Sequence, residues 1–404
     1  MRASESSLRH SRKNRAATIL ITGATGFLGS HLVHEFRKRG YRTLLLVRGS
    51  QDMSGGERVA RLQEWFGSGP GSLPRPEVFE GSMAESRLGL SAADYGYLAD
   101  QVDEIVHAAA DTRLHPRQAS AVEAANVNSL ENLLALARSG KCSFLHYVST
   151  AYVAGRVQGR CLEEFSDPAD FFNPYERSKH RAERLCLQAC RDAGLRLNLY
   201  RPSIVYGDYR SGRSLRFNAL YYPVKAIHFL KNLYLTDIRE KGGRKAEEMG
   251  VELRSDGRLR FPLRLCLRQG SRLNLIPVDY FTQGFMAIFE QALAGNGEIF
   301  HLVSDRPSPP EEIADYVGRF MNLEGIETVA AEAFAGKPKN ALETLFDNFL
   351  DIYWPYIFDP REFASDRAAA ILSACGVRCP PFDYPAFSRS MSYALEVDWG
   401  RKLF

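Results

Sequence analysis

The chain has 404 residues, 45% of them hydrophobic and 25% charged, the balance of a soluble globular protein with room for one large domain or two to three smaller ones. Its net charge of +4 is too small to argue for nucleic acid, and no apolar run is long enough to span a bilayer. Seven cysteines without CxxC spacing or a neighbouring histidine cluster give no metal motif; they read as reduced thiols of a cytoplasmic protein.

Residues 1–16 are rich in Ser, Arg and Lys, with Glu5 the only acid, and read as a disordered basic tail. Thr18–Thr22 is a short apolar, β-branched run that stops at Gly23, the pattern of a buried parallel strand. Leu28, Leu32, Val33 and Phe36 then recur at helical spacing up to Gly40. Strands follow at Thr43–Val47, Val78–Phe79, Asp103–His107, Phe144–Val148 and Leu195–Tyr200, with helices between them, among them Tyr175–Cys190. Such alternation predicts an α/β fold, a Rossmann-type doubly wound parallel sheet. The rhythm breaks after Gly207. Leu275–Asp279 and Ile299–Val303 read as short returns to the sheet or its rim, and from about Ala331 the chain is mostly helical. The expected division is a Rossmann domain at 17–208 with returns at 273–305, a basic insertion at 209–272, and a smaller, mostly helical C-terminal substrate-binding region at 306–404.

Gly23, Gly26 and Gly29 lie between the first strand and the first helix, with Thr25, Phe27 and Leu28 among them. Glycine allows the tight turn and lets the backbone approach a pyrophosphate, and the helix N-terminus adds free N–H groups and positive dipole. The strand before and helix after make this a dinucleotide loop rather than a chance triplet. The second strand ends in Arg48, where an acid would hold the ribose of NAD and an arginine suits the 2′-phosphate of NADP(H). Tyr175 and Lys179, four residues apart on one helix, share a face. A tyrosine near its usual pKa of about 10 is a poor proton carrier at neutral pH, and a neighbouring ammonium is expected to lower that value. Lys179 is also placed to hold the nicotinamide ribose. Ser149 and Thr150 end the fifth strand, where a hydroxyl faces the cleft of such a sheet.

In this order the motifs resemble an extended short-chain dehydrogenase/reductase over roughly residues 17–330, and within it the fatty acyl reductase and thioester reductase group. The residues that carry the likeness are Gly23–Gly29 (GATGFLG), His107–Arg113 (HAAADTR), Asn126 ahead of Asn132, Ser149–Tyr152, Tyr200–Val205 and Ile276–Tyr280. The resemblance implies a catalytic set of Thr150, rather than Ser149, with Tyr175 and Lys179. It implies cofactor contacts from Ala108, Ala109, Pro202 and Val205, and a structural or relay role for Asn126. Where many relatives carry an acid after the third strand, this chain has Gly81–Ser82. The implied reaction is NADPH-dependent reduction of an acyl thioester, on CoA or a carrier protein, to aldehyde or alcohol. A ketone reductase or secondary alcohol dehydrogenase, and a sugar-nucleotide epimerase that recycles NAD, are the rivals.

Residues 209–272 carry 15 Lys and Arg against 6 Asp and Glu. That patch reads as a dock for an acidic acyl carrier protein or for CoA, or as a solvated insertion. Leu215–Leu235, apolar with interspersed Lys225 and Lys231, could instead lie on a membrane surface. Phe346, Phe349, Tyr353, Trp354, Tyr356 and Phe358 either line an acyl channel or pack helices together.

Overall fold

The computed structural model describes residues 17–403 apart from 51, 69–70, 268–269, 292–295, 331–333, 335–337 and 358, so the basic tail at 1–16 and Phe358 lie outside the described residues. The strands are β1 (Thr18–Thr22), β2 (Arg42–Val47), β3 (Glu77–Glu80), β4 (Glu104–His107), β5 (Phe144–Val148), β6 (Gly159–Cys161) and β7 (Arg196–Pro202). They continue with β8 (Ile204–Tyr206), β9 (Glu252–Leu253), β10 (Leu259–Leu267), β11 (Leu275–Pro277), β12 (Asn296–Leu302), β13 (Leu323–Ala330) and β14 (Arg361–Phe363). The chain forms two compact units: one takes the residues up to Ser203, with Val278–Val303 and Glu362–Cys379, and the other Ile204–Pro277, Ser304–Arg361 and Pro380–Phe404.

The first unit is built on a seven-stranded sheet in the order β12-β7-β5-β4-β1-β2-β3, and every pair in it is parallel. All of β1 and β5 is buried, which is why neither shows the apolar–polar alternation of a half-exposed strand; the one histidine of β5, His146, is met by Glu104 at 2.9 Å. Leu20, Leu44, Ile105, Leu145 and Leu197 pack with Leu130, Leu133 and Leu134 of a covering helix, and Phe36, Phe285 and Phe289 make a second aromatic cluster. Strand order reverses between β1 and β4, which opens a crevice at their carboxyl ends.

In the second unit β10 lies between β9 and β13, and β8 pairs with β11. This corrects the expected boundaries. Strand β10, inside the 209–272 insertion, pairs in parallel with β13 from Leu259↔Leu323 to Leu267↔Ala330, so the insertion and part of the later region share one core. Residues 362–379, expected in the C-terminal region, belong to the first unit. Pairing between segments far apart in sequence leaves no local signature. Of the two expected returns, Ile299–Val303 falls in and just after β12, the sheet edge, whereas only Leu275–Pro277 is strand and it pairs with β8.

Much of the apolar surface within Leu215–Leu235, the stretch that could lie on a membrane surface, is packed inward. Helix Tyr221–Glu240 buries Tyr221, Val224, Ala226, Ile227, Leu230 and Tyr234 in its own unit's core, leaving Phe229 and Leu233 exposed. Among the described residues no helix is long and apolar enough to cross a membrane.

Candidate active site

The glycine loop begins where β1 ends. Gly23 has φ +72, and a Cβ there would lie 2.5 Å from the nitrogen of Ala109 and 2.6 Å from the carbonyl carbon of Ala108. A Cβ on Gly29 would lie 2.1 Å from the Gly23 carbonyl oxygen. Ala108 and Ala109 thus pack against the loop, and only glycine permits this closeness. Gly26 donates to the Gly23 carbonyl at 2.8 Å and caps helix α1 (Phe27–Lys38) with no side-chain hydrogen bond. No acid stands in the first turn of α1, and Thr25, Phe27 and Leu28 are half-buried around it. Open N–H groups, positive dipole and a backbone cradle that side chains would fill all fit a dinucleotide pyrophosphate.

Arg48 is exposed just past β2, and its charge holds Asp111 below the usual carboxylate range, after the larger effect of the Arg113 hydrogen bonds. Arg58 donates to the Arg48 carbonyl at 2.6 Å. Sequence reasoning missed Glu80, whose carboxylate accepts from Gly55 at 2.8 Å and lies against Gly49, so an acid does stand at the end of β3.

Helix α2 (Pro174–Ala193) positions Tyr175 and Lys179. Asn173 caps it, accepting from Glu176 at 3.0 Å; Pro174 takes the first helical position; Gly194 ends it at φ +65. Tyr175 is half-buried, with the Thr150 side chain close enough to act on its phenol. Burial raises its phenol above the usual value; Thr150 acts in the lowering direction and Glu176 in the raising one. The expected lowering by Lys179 is reversed, because the lysine turns elsewhere. Its Nζ donates to the Val148 carbonyl at 2.6 Å, and burial pushes it down to about 7.

Thr150 donates to the Pro202 carbonyl at 3.4 Å, tying the ends of β5 and β7, while the buried Ser149 hydroxyl makes no hydrogen bond among the described residues. The structure therefore brings Thr150, not Ser149, to Tyr175. Val205 lies half-buried in β8 of the second unit, paired with Ile276. Asn126 pins the loop after β4: its Oδ1 accepts from the Asp111 N–H at 2.7 Å, and its Nδ2 donates to the Asp111 carbonyl and to Ser178 Oγ, each at 2.9 Å. Ser178, three residues after the tyrosine on its helix, donates to the Tyr175 carbonyl at 2.8 Å.

In the second unit the basic patch is partly neutralised. Arg254, Arg258 and Arg260 pair with Glu252, Asp256 and Glu324, and Arg264 with Glu343. Phe346, Phe349 and Trp354 pack into or against that unit's core, and Tyr353 lies 4.8 Å from Tyr222, ring centre to ring centre. The seven cysteines are free thiols.

An NAD-binding family described as male sterility protein matches residues 21–284. The chain is 31% identical over 302 residues to a carboxylic acid reductase of Segniliparus rugosus, which covers 69% of the chain and 23% of that protein. It is 33% identical over 224 residues to the glycine betaine reductase ATRR of Emericella nidulans, covering 51% of the chain and 17% of that protein. The chain thus spans less than a quarter of either relative. The solved terminal R domain from the myxalamid PKS-NRPS biosynthetic pathway has the same fold, with TM-score 0.73 and 24% identity over 95% of this chain and 91% of that one.

Proposed function

The chain belongs to the NAD-binding family described as male sterility protein, and from that premise we propose that it is an NADP(H)-dependent reductase of an acyl thioester, carried by CoA or a carrier protein, yielding an aldehyde or alcohol. The observation that carries the reading is that the Thr150 side chain, just past β5, acts directly on the Tyr175 phenol. The relatives reported above are named a carboxylic acid reductase and a glycine betaine reductase, and the first of these names supports the substrate class.

When bound, the dinucleotide would supply the hydride that adds to the acyl carbonyl carbon. Tyr175, its pKa raised by burial, stays a phenol at neutral pH and is thereby a hydrogen-bond and proton donor. Together Tyr175 and Thr150 stabilise the oxygen on which negative charge develops. Collapse of the hemithioacetal expels the thiol, and a second reduction gives the alcohol. Lys179 would hold the nicotinamide ribose, Pro202 would stand beside the ring, and Gly23–Gly29 with Ala108 and Ala109 would seat the pyrophosphate. Arg48, exposed past β2, supports the choice of NADP(H). The cations of 209–272 outside the ion pairs above, among them Lys225 and Arg239, suit an acidic carrier or the phosphates of CoA.

The test is turnover of NADPH with a panel of acyl-CoA and carrier-bound acyl thioesters, following free thiol and aldehyde together. Stoichiometric release of both is expected, with Tyr175→Phe losing at least about a hundredfold in rate. Brisk reduction of a ketone with no thiol released overturns the thioester reading.

A further inference from the structure

Lys179 occupies a place that holding a ribose does not by itself require. Its Nζ lies 4.1 Å from the centre of the Tyr147 ring. Lys179 is 1% exposed and Tyr147 0%. A buried ammonium ordinarily takes a carboxylate. The nearest on its helix, Glu183, is committed elsewhere, accepting from Arg201 Nε and Nη2 at 2.9 and 2.6 Å. Among the described residues Lys179 makes no ion pair, and its hydrogen bond is the one to Val148.

The ring itself is firmly mounted. His107 stacks against Tyr147 with ring centres 5.2 Å apart at 29°, and His107 Nδ1 lies 2.6 Å from Thr22 Oγ1. Thr22, His107 and Tyr147 are in register across β1, β4 and β5, one row from the strand that feeds the glycine loop to the lysine. Burial, and secondarily the charge of Lys179, push His107 down to about 3, so it is an uncharged plate rather than a second cation. The Tyr147 hydroxyl is buried with no hydrogen-bond partner among the described residues, so its ring, not its oxygen, is what the site uses.

We propose that Tyr147 is a positioning residue for Lys179: its ring face takes the place of a counter-ion and, mounted on the Thr22–His107 row, favours the charged form of the buried amine and fixes it at the end of β5. Ring quadrupoles attract cations most where water is excluded. The titratable groups acting on Lys179 are Glu183 and Cys186 from its own helix and His107 from β4, with Tyr147 from β5. The inference rests on the reading of Lys179 as the group that holds the ribose.

The experiment follows Lys179 directly in the cofactor-free protein, by the 15N shift of its side-chain nitrogen across pH, assigned with Lys179→Met. Tyr147→Phe keeps the ring face and leaves the midpoint where it was. Phenylalanines of increasing fluorination at position 147 keep the shape but weaken the face, and the midpoint falls in step, by about one pH unit at the far end of the series. NADPH affinity at fixed alkaline pH falls in the same order. A midpoint that stays in place across the series overturns the proposal, whatever Tyr147→Leu does to stability. Wild-type turnover in Lys179→Met would instead overturn the role assigned to the lysine, and the titration series still reads the ring contact by itself.

Discussion

Gly29→Ala tests the nucleotide cradle most sharply. Gly29 is the third residue of α1, and its new methyl would sit 2.1 Å from the oxygen and 2.7 Å from the carbon of the Gly23 carbonyl. Ordinary contact begins at 3.4 Å, so helix and strand end must part by about 1.3 Å. Both obstacles are backbone, and neither can swing aside. Overpacking of this kind costs about 1–3 kcal/mol, against about 1 kcal/mol gained from replacing a helical glycine. Net destabilisation is therefore small, about 1 kcal/mol, and the greater damage is to geometry. The Gly26 N–H to Gly23 carbonyl bond of 2.8 Å opens, and the N–H groups of the first turn move off the phosphate. Losing one charge-assisted hydrogen bond, about 1.5–3 kcal/mol, lowers NADPH affinity by about 10- to 100-fold. Fluorescence titration with NADPH beside a thermal melt separates the two effects. Wild-type affinity in a folded Gly29→Ala protein refutes the reasoning. Gly96→Ala is the control: nothing lies within 4 Å of its Cβ, so it should stabilise the helix Ala92–Gln101 by about 1 kcal/mol and leave affinity alone.

Arg48→Ala is expected to cut kcat/KM with NADPH by about 10- to 100-fold and spare that with NADH; an unchanged ratio of the two removes the argument for the 2′-phosphate. Glu183→Gln strands the Arg201 guanidinium, 3% exposed, without its carboxylate, and should cost about 3–5 kcal/mol in urea unfolding, whereas Glu77→Gln at the exposed Arg42 pair should move the midpoint little. His107 and His301 are both held down to about 3 by burial, from 6.5. Below 6.5 the unfolded chain binds protons that the folded one refuses, so stability falls as pH drops from 6.5 toward 3, by about 1.4 kcal/mol per pH unit for each histidine. Stability that stays flat between pH 6.5 and 5 contradicts this.

The parts of the site that were legible in the sequence are those where local chemistry and local geometry coincide. β1 and β5 were read to the residue because a strand buried on both faces is mostly apolar and does not alternate. The glycines at 23 and 29 announced a backbone contact that the Ala108 carbonyl and the Gly23 carbonyl fulfil. Other features depend on where distant segments meet. Nothing near Leu259 in the sequence points to Leu323, and Lys179 faces Val148 and Tyr147 only because β5 runs beneath α2. Asn126 looked like a buried amide with two roles open; its three hydrogen bonds to Asp111 and Ser178 make it a clamp on the loop beside the glycine turn. Glu80 escaped notice because its partner, Gly55, is an unremarkable helix start in sequence.

The first unit is assembled from separate stretches of chain, and this sets an order of events during synthesis. β7 leaves the ribosome with one edge open, and β12, which pairs with it, follows only after much of the second unit. Glu163, 6% exposed in the finished protein, waits longer still: its carboxylate accepts from the N–H groups of His301, Arg367 and Ala368. Until residue 368 emerges, that carboxylate must stay hydrated and the ground it later occupies must stay open to water. The final closure of the nucleotide-binding sheet therefore comes late relative to β7, and the unpaired edge of β7 is the surface a chaperone would have to shield until then.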